Sequence, residues 1–242
     1  MHAPAPPPIP TDLLLLAYRN GIFPMSDSRD DPEVFWVEPR RRAILPLDGF
    51  RLSKSLAKAI RQDRFVVSCN EAFDAVIDAC AAPRPGHPDS WISGRIRASY
   101  RALHAEGHAH SVECWQDGEL VGGLYGVGFG GVFCGESMFS RRTDASKVAL
   151  AWLVALLKRG GARLLDCQFM TEHLASMGAV EITQARYVAL LGEASGAGEG
   201  EGDAAGAGVR SLPESFESLS SEAEAAGLSP SKLILQSLTH TS

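Results

Sequence analysis

No apolar run in this 242-residue chain approaches the roughly 20 residues that a membrane-spanning helix needs. The opening Met1–Pro10 is mostly proline and alanine, without the basic and apolar regions of a secretory signal. A cytoplasmic chain with no membrane partner is therefore expected. Cysteine is scarce and scattered: Cys69, Cys80, Cys114, Cys134 and Cys167 form neither a CxxC nor a CxxxH pair. That spacing argues against a disulfide scaffold and against a zinc site, so no metal is expected. HExxH and GxSxG are missing, as is any paired-acid glycosidase pattern. No GxGxxG lies between a strand and a helix, and no GxxxxGK[ST] occurs. The glycine-rich stretch 122–131 thus reads as strand and hairpin, where glycine permits tight turning or close approach.

What is present is enough apolar residue, 45%, for a sizeable core. The net charge of −6 is all in the tail. Residues 192–242 hold eight acids against Arg210 and Lys232, whereas residues 1–191 balance 21 bases with 21 acids. A neutral body can still carry a basic face, which suits a polyanion. Arg40-Arg41-Arg42 and Arg95, Arg97 and Arg101 are locally concentrated. A merely solvated face is the alternative.

Periodicity and breakers predict helices over 12–20, 53–60, 71–80, 91–104, 145–158 and 171–177. Strands are predicted over 34–37, 43–47, 65–69, 110–115, 119–127, 132–136 and 164–168. Asp117-Gly118 marks a hairpin. Residues 81–89 read as a proline-rich loop and 192–209 as a Gly/Ala/acid linker, with a weak helix over 228–238. The class is α+β. It divides into a small N-terminal α/β part over 1–90, an antiparallel meander with a helix and a parallel strand over 91–191, and an acidic tail over 192–242. The tail reads as an appendage.

Two polar clusters stand out against apolar surroundings: Gly135-Glu136-Ser137-Met138-Phe139-Ser140-Arg141, and Asp166-Cys167-Gln168 after Leu164-Leu165. Glu136 can hold a cationic amine or a hydroxyl, or merely pair with Arg141 or Arg142. Asp166 and Gln168 are two apart, so on a strand they share a face. There the carboxylate can orient the carboxamide, or the two can form a hydrogen-bonded edge pair. Asp144, Ser146 and Lys147 form a helix start that can receive phosphate, with Lys147 assisting.

Several blocks carry a resemblance: Leu16-Ala17-Tyr18-Arg19-Asn20-Gly21-Ile22-Phe23-Pro24, Ser90-Trp91-Ile92, Gly107-His108-Ala109-His110-Ser111-Val112-Glu113, the run 119–127, Phe133 to Ser140, Ala145-Ser146-Lys147, Asp166-Cys167-Gln168 and Ala175 to Ala179. Together, over residues 11–190, they resemble the bacterial leucyl/phenylalanyl-tRNA–protein transferases. The resemblance implies transfer of Leu, Phe or Met from aminoacyl-tRNA to an N-terminal Arg or Lys of a protein, marking it for N-end rule degradation. It implies a C-terminal domain like the acyl-CoA N-acyltransferase fold, no cofactor, and a monomer. Glu136, Asp166 and Gln168 correspond to the catalytic positions. Trp91 and Tyr100 match residues at the terminal adenosine. Leu124, Phe133, Met138 and Leu153 match the amino-acid pocket. Arg40, Arg41, Arg42, Arg95, Arg97 and Lys147 are the candidate tRNA contacts. Met25 stands where some members carry Trp, and the acidic tail has no usual counterpart. The alternatives are a non-catalytic tRNA-binding module, an arginyl-type transferase and a CoA-dependent acetyltransferase. The apolar pocket residues weigh against the second, and the missing pyrophosphate loop against the third.

Overall fold

The first helix among the described residues, α1, spans Thr11–Arg19, and its apolar side is made by Leu14, Leu15 and Tyr18. Gly21, at φ +76°, turns the chain out of it. The computed structural model describes residues 6–83, 88–196 and 209–239. The rest of the expected proline-rich loop, at 84–87, and most of the expected linker, at 197–208, lie outside the described residues.

After α1 come β1 (Phe23–Met25) and β2 (Phe35–Val37), an antiparallel pair by themselves. Next are β3 (Arg41–Ile44), α2 (Lys54–Arg61), β4 (Val66–Cys69), α3 (Phe73–Ala81) and α4 (Gly94–Ala105). Ser53 and Ser93 accept the Leu56 and Ile96 backbone N–H groups and so cap α2 and α4. The meander follows as β5 (Ala109–Gln116), β6 (Glu119–Phe129) and β7 (Val132–Ser140). Asp117 and Gly118, at φ +54° and +78°, make the β5–β6 turn, as their sequence predicts.

The crossover helix α5 (Ala145–Gly160) leads to β8 (Leu164–Gln168), which pairs parallel with β7. Then come α6 (Glu172–Ser176), β9 (Val180–Thr183), α7 (Gln184–Ser195), α8 (Leu212–Ala225) and α9 (Pro230–Thr239).

The main sheet has seven strands in the order β4-β5-β6-β7-β8-β3-β9. Strands on both sides of residue 90 therefore share it. Alternate residues feed opposite faces. Leu124, Phe133 and Leu165 join a core with α5, while Tyr125, Cys134 and Leu164 join another with α1, α3 and α4. The glycines of β6 serve this packing. A Cβ on Gly122 would sit 2.5 Å from the Ala145 Cβ, and one on Gly126 would sit 2.4 Å from the Phe133 ring.

Four elements have no counterpart in the sequence expectations: β1, β9, α7 and α8. The tail is also more than an appendage. Helix α5 is apolar on nearly every face and buried almost throughout. The sheet covers one side, and α8 and α9 cover the other through Leu212, Leu219, Leu233 and Ile234. Trp152 packs on Phe216 with ring centroids 5.8 Å apart, and Arg159 pairs with Glu222. Among the described residues, no helix is long and apolar enough to cross a membrane.

Candidate active site

The parallel β7–β8 pairing extends only from Val132↔Leu164 to Cys134↔Asp166. Beyond it the strands part, because β7 continues to Ser140 alongside β6 while β8 ends at Gln168. A cleft of about 680 Å³ opens where they separate. Leu124, Met138, Leu150 and Leu153 form its apolar wall, and Phe23, Met25, Trp91 and Phe169 stand elsewhere around it. Leu150 and Leu153 are three apart on α5, so both face the same way.

Glu136 sits in this cleft just past the last paired residues and is half-buried. The Tyr100 hydroxyl donates to its Oε2 at 2.9 Å. Tyr100 has then used its proton, so the hydrogen bond between the Tyr18 and Tyr100 hydroxyls is donated by Tyr18. The Gln168 Nε2 donates to Glu136 Oε1 at 3.2 Å. This fixes the carboxamide, since its nitrogen must face Glu136. Burial pushes the Glu136 carboxyl up to about 7, against the hydrogen bond from Tyr100, which favours the ionised form.

Asp166 has a different setting. It is fully buried. The Arg42 fork grips it, with Nε to Oδ1 at 2.9 Å and Nη2 to Oδ2 at 2.6 Å. The Tyr187 hydroxyl donates to Oδ2 at 3.2 Å, and the Gln168 backbone N–H donates to Oδ1 at 2.9 Å. Asp166 therefore acts on the backbone of Gln168, whereas Glu136 steers its carboxamide. Gln168, the last residue of β8, has φ +53°.

The other expected site residues divide. Trp91, Leu124, Met138 and Leu153 line the cleft. Tyr100 is buried behind Glu136 and acts through its hydroxyl. Phe133 is not on the cleft wall: it is buried in the core, with its ring over Gly126. Arg42 cannot meet a tRNA phosphate, because its guanidinium is sealed on Asp166 between the Phe23 and Tyr187 rings, 4.7 and 4.3 Å from their centroids. Arg40 and Arg41 are exposed, and Arg41 pairs with Glu181 at 2.8 Å. Arg95 donates to the Pro7 carbonyl, and Arg97 pairs with Asp78. Lys147 is half-buried and close enough to His173, on the cleft wall, to lower that imidazole's pKa, though burial lowers it more.

Tyr18, Tyr187, Phe23 and the inward role of Arg42 were not among the expected site residues. A signal for Arg42 exists. It opens the run Arg42-Ala43-Ile44-Leu45, whose other members are buried. An arginine in such a run needs a buried acid, and Asp166 is in the other inward polar cluster.

An acid raised in pKa by burial, a carboxamide bonded to it and an apolar cleft mark the candidate active site of an enzyme. Residues 44–192 match the family model described as leucyl/phenylalanyl-tRNA protein transferase, and residues 8–40 match the model of that family's N-terminal domain. A leucyl/phenylalanyl-tRNA–protein transferase of Novosphingobium aromaticivorans is 61% identical over 259 residues, covering 98% of each chain. One from Rhizorhabdus wittichii is 60% identical over 198 residues, covering 82% of this chain and 80% of its own. The chain belongs to the leucyl/phenylalanyl-tRNA–protein transferase family.

Proposed function

We propose that this enzyme moves Leu, Phe or Met from an aminoacyl-tRNA to a protein whose N-terminal residue is Arg or Lys. The observation that carries this reading is the Glu136–Gln168 pair facing an apolar cleft. Leu124, Met138, Leu150 and Leu153 offer no charge to a donor side chain. An unbranched, γ-branched or aromatic apolar side chain suits that wall, and a cationic one does not. Trp91 stacks on the donor's terminal base, a role that Met25 fills only as an apolar contact. The parallel β7–β8 pair with its α5 crossover supports an acyl-CoA N-acyltransferase-like arrangement over residues 91–191. Product marking for N-end rule degradation follows in the cytoplasm.

The chemistry is ester aminolysis. A C–N bond forms, the bond from the carbonyl carbon to the ribose oxygen breaks, and one proton passes from nitrogen to that oxygen. An α-ammonium, with a usual pKa of about 8, must first lose a proton. Glu136, raised to about 7, is matched to accept it. The Gln168 amide oxygen, turned away from Glu136, then accepts a hydrogen bond from the neutral amine. That holds the nitrogen about 3–3.5 Å from the carbonyl. The donor is already activated, so positioning supplies most of the acceleration. Asp166 is sealed from substrate and positions Gln168. Of the candidate tRNA contacts, Arg40 and Lys147 remain suited to phosphate.

The test offers charged Leu-, Phe- and Met-tRNA to peptides beginning with Arg, Lys, Leu or Asp. Transfer only to the Arg and Lys peptides is expected. Absence of transfer to both would overturn the reading, and binding of tRNA without transfer would favour the non-catalytic module.

A further inference from the structure

We propose that Arg42 is a positioning residue for the transfer reaction, acting through Asp166 on the backbone of Gln168. The proposal rests on the reading that Gln168 faces the acceptor amine.

Gln168 is in an unusual conformation. Its φ is +53°, a region that side-chain-bearing residues enter when their surroundings hold them there. The Phe169 N–H donates to the Cys167 carbonyl at 2.7 Å, closing a three-residue turn centred on Gln168. That turn takes the carboxamide off the line of β8 and beside Glu136. Something must hold it. The Gln168 N–H is tied to Asp166 Oδ1, and Asp166 is tied by both oxygens to Arg42.

Arg42 is itself over-determined. Besides gripping Asp166, its Nη1 donates to the Gly21 carbonyl at 3.0 Å and its Nη2 to the Tyr187 hydroxyl at 3.3 Å. Its Cζ lies over the rings of Phe23 and Tyr187. Phe23 in turn meets Phe169 edge-on, with centroids 5.7 Å apart. The residue that follows Gln168 is therefore braced by the same guanidinium through a ring. Lysine, a point charge without a planar fork, can copy neither the two parallel hydrogen bonds nor the stacking.

A buried ion pair could instead serve only stability, and a double-mutant cycle separates the two roles. Transfer from Phe-tRNA to a peptide beginning with Arg is measured for wild type, Arg42→Lys, Gln168→Ala and the double variant, with thermal melting of each. We expect Arg42→Lys to lower kcat about 10- to 100-fold while KM stays within about 2-fold. In the Gln168→Ala background the same change should cost no more than about 2- to 3-fold, because the group it positions is gone. Equal losses in both backgrounds, or wild-type kcat in Arg42→Lys, would overturn the proposal. Wild-type rates in Gln168→Ala would overturn the reading of Gln168, and this role of Arg42 with it. If Arg42→Lys does not fold, Tyr187→Phe carries the same cycle. It removes one hydroxyl from the clamp and should cost about 3-fold, again only when Gln168 is present.

Discussion

Two carboxylates lie on neighbouring strands at the same splay of the sheet, yet their surroundings oppose each other. Asp166 is sealed, and a guanidinium, a phenol and a backbone N–H fill its oxygens. Glu136 is open to the cleft and touches only neutral donors. The guanidinium of Arg42 ties both Asp166 oxygens into the frame. Neutral donors leave the charge adjustable, and burial then brings it near the pKa of an amine. Position decides this: Asp166 is within the β7–β8 ladder, and Glu136 lies two residues past its last pair on β7.

The comparison is broken most directly by removing each acid. Asp166→Ala should destabilise the fold by about 3–5 kcal/mol, because it strands the Arg42 charge in the interior. Glu136→Ala should cost less, about 1–2 kcal/mol, since it leaves the neutral Tyr100 donor without its partner but strands no charge. Denaturant unfolding of both variants measures the contrast, and equal losses would erase it.

Activity should show the reverse pattern. Glu136→Gln should lower kcat/KM about 100-fold at pH 8 with the melting temperature kept or raised. The wild-type profile should climb as pH rises through about 7, where Glu136 ionises, and the variant should lose that step and rise only as the acceptor amine, with a usual pKa of about 8, deprotonates.

Stability against pH sharpens the same point. A carboxyl whose folded pKa is raised favours the fold while protonated. That contribution is full below its unfolded pKa of about 4.3 and is lost as pH rises through about 7. Glu136→Gln should therefore stabilise the protein by about 1–2 kcal/mol at pH 8, after discounting for partial exposure, and by less towards pH 5. Chemical denaturation at the two pH values checks the sign.

The smallest effect is expected from Tyr100→Phe. Losing one donor to the ionised form should move the activity midpoint upward by about half a pH unit to one unit. A downward move would mean that the tyrosine favours the protonated acid.

Much of this was legible beforehand. The meander, its Asp117-Gly118 turn, the α5 crossover and the parallel β8 follow from local pattern, because alternation, turn residues and a long apolar helix are short-range signals. Glu136 and Gln168 stood out as polar residues beside apolar strands. The missed elements have weaker local signals. Strand β9 is four residues long, and α8 is rich in Ser and Glu. Yet α5, with apolar residues on every face, already demanded a second covering layer, and α8 with α9 provides it.

The sequence by itself determined the class of the fold, the family and the two polar clusters, because these rest on residue identity and spacing. It could not assign roles within the clusters. Phe133 matched a pocket position but faces the core, and Arg42 looked like a surface base. Only the tertiary structure brought Arg42 across 124 residues to Asp166 and Tyr100 across 36 residues to Glu136. Whether an acid is paired or free is set by neighbours distant in the chain. That is why one of two similar carboxylates is sealed on a guanidinium while the other faces the cleft.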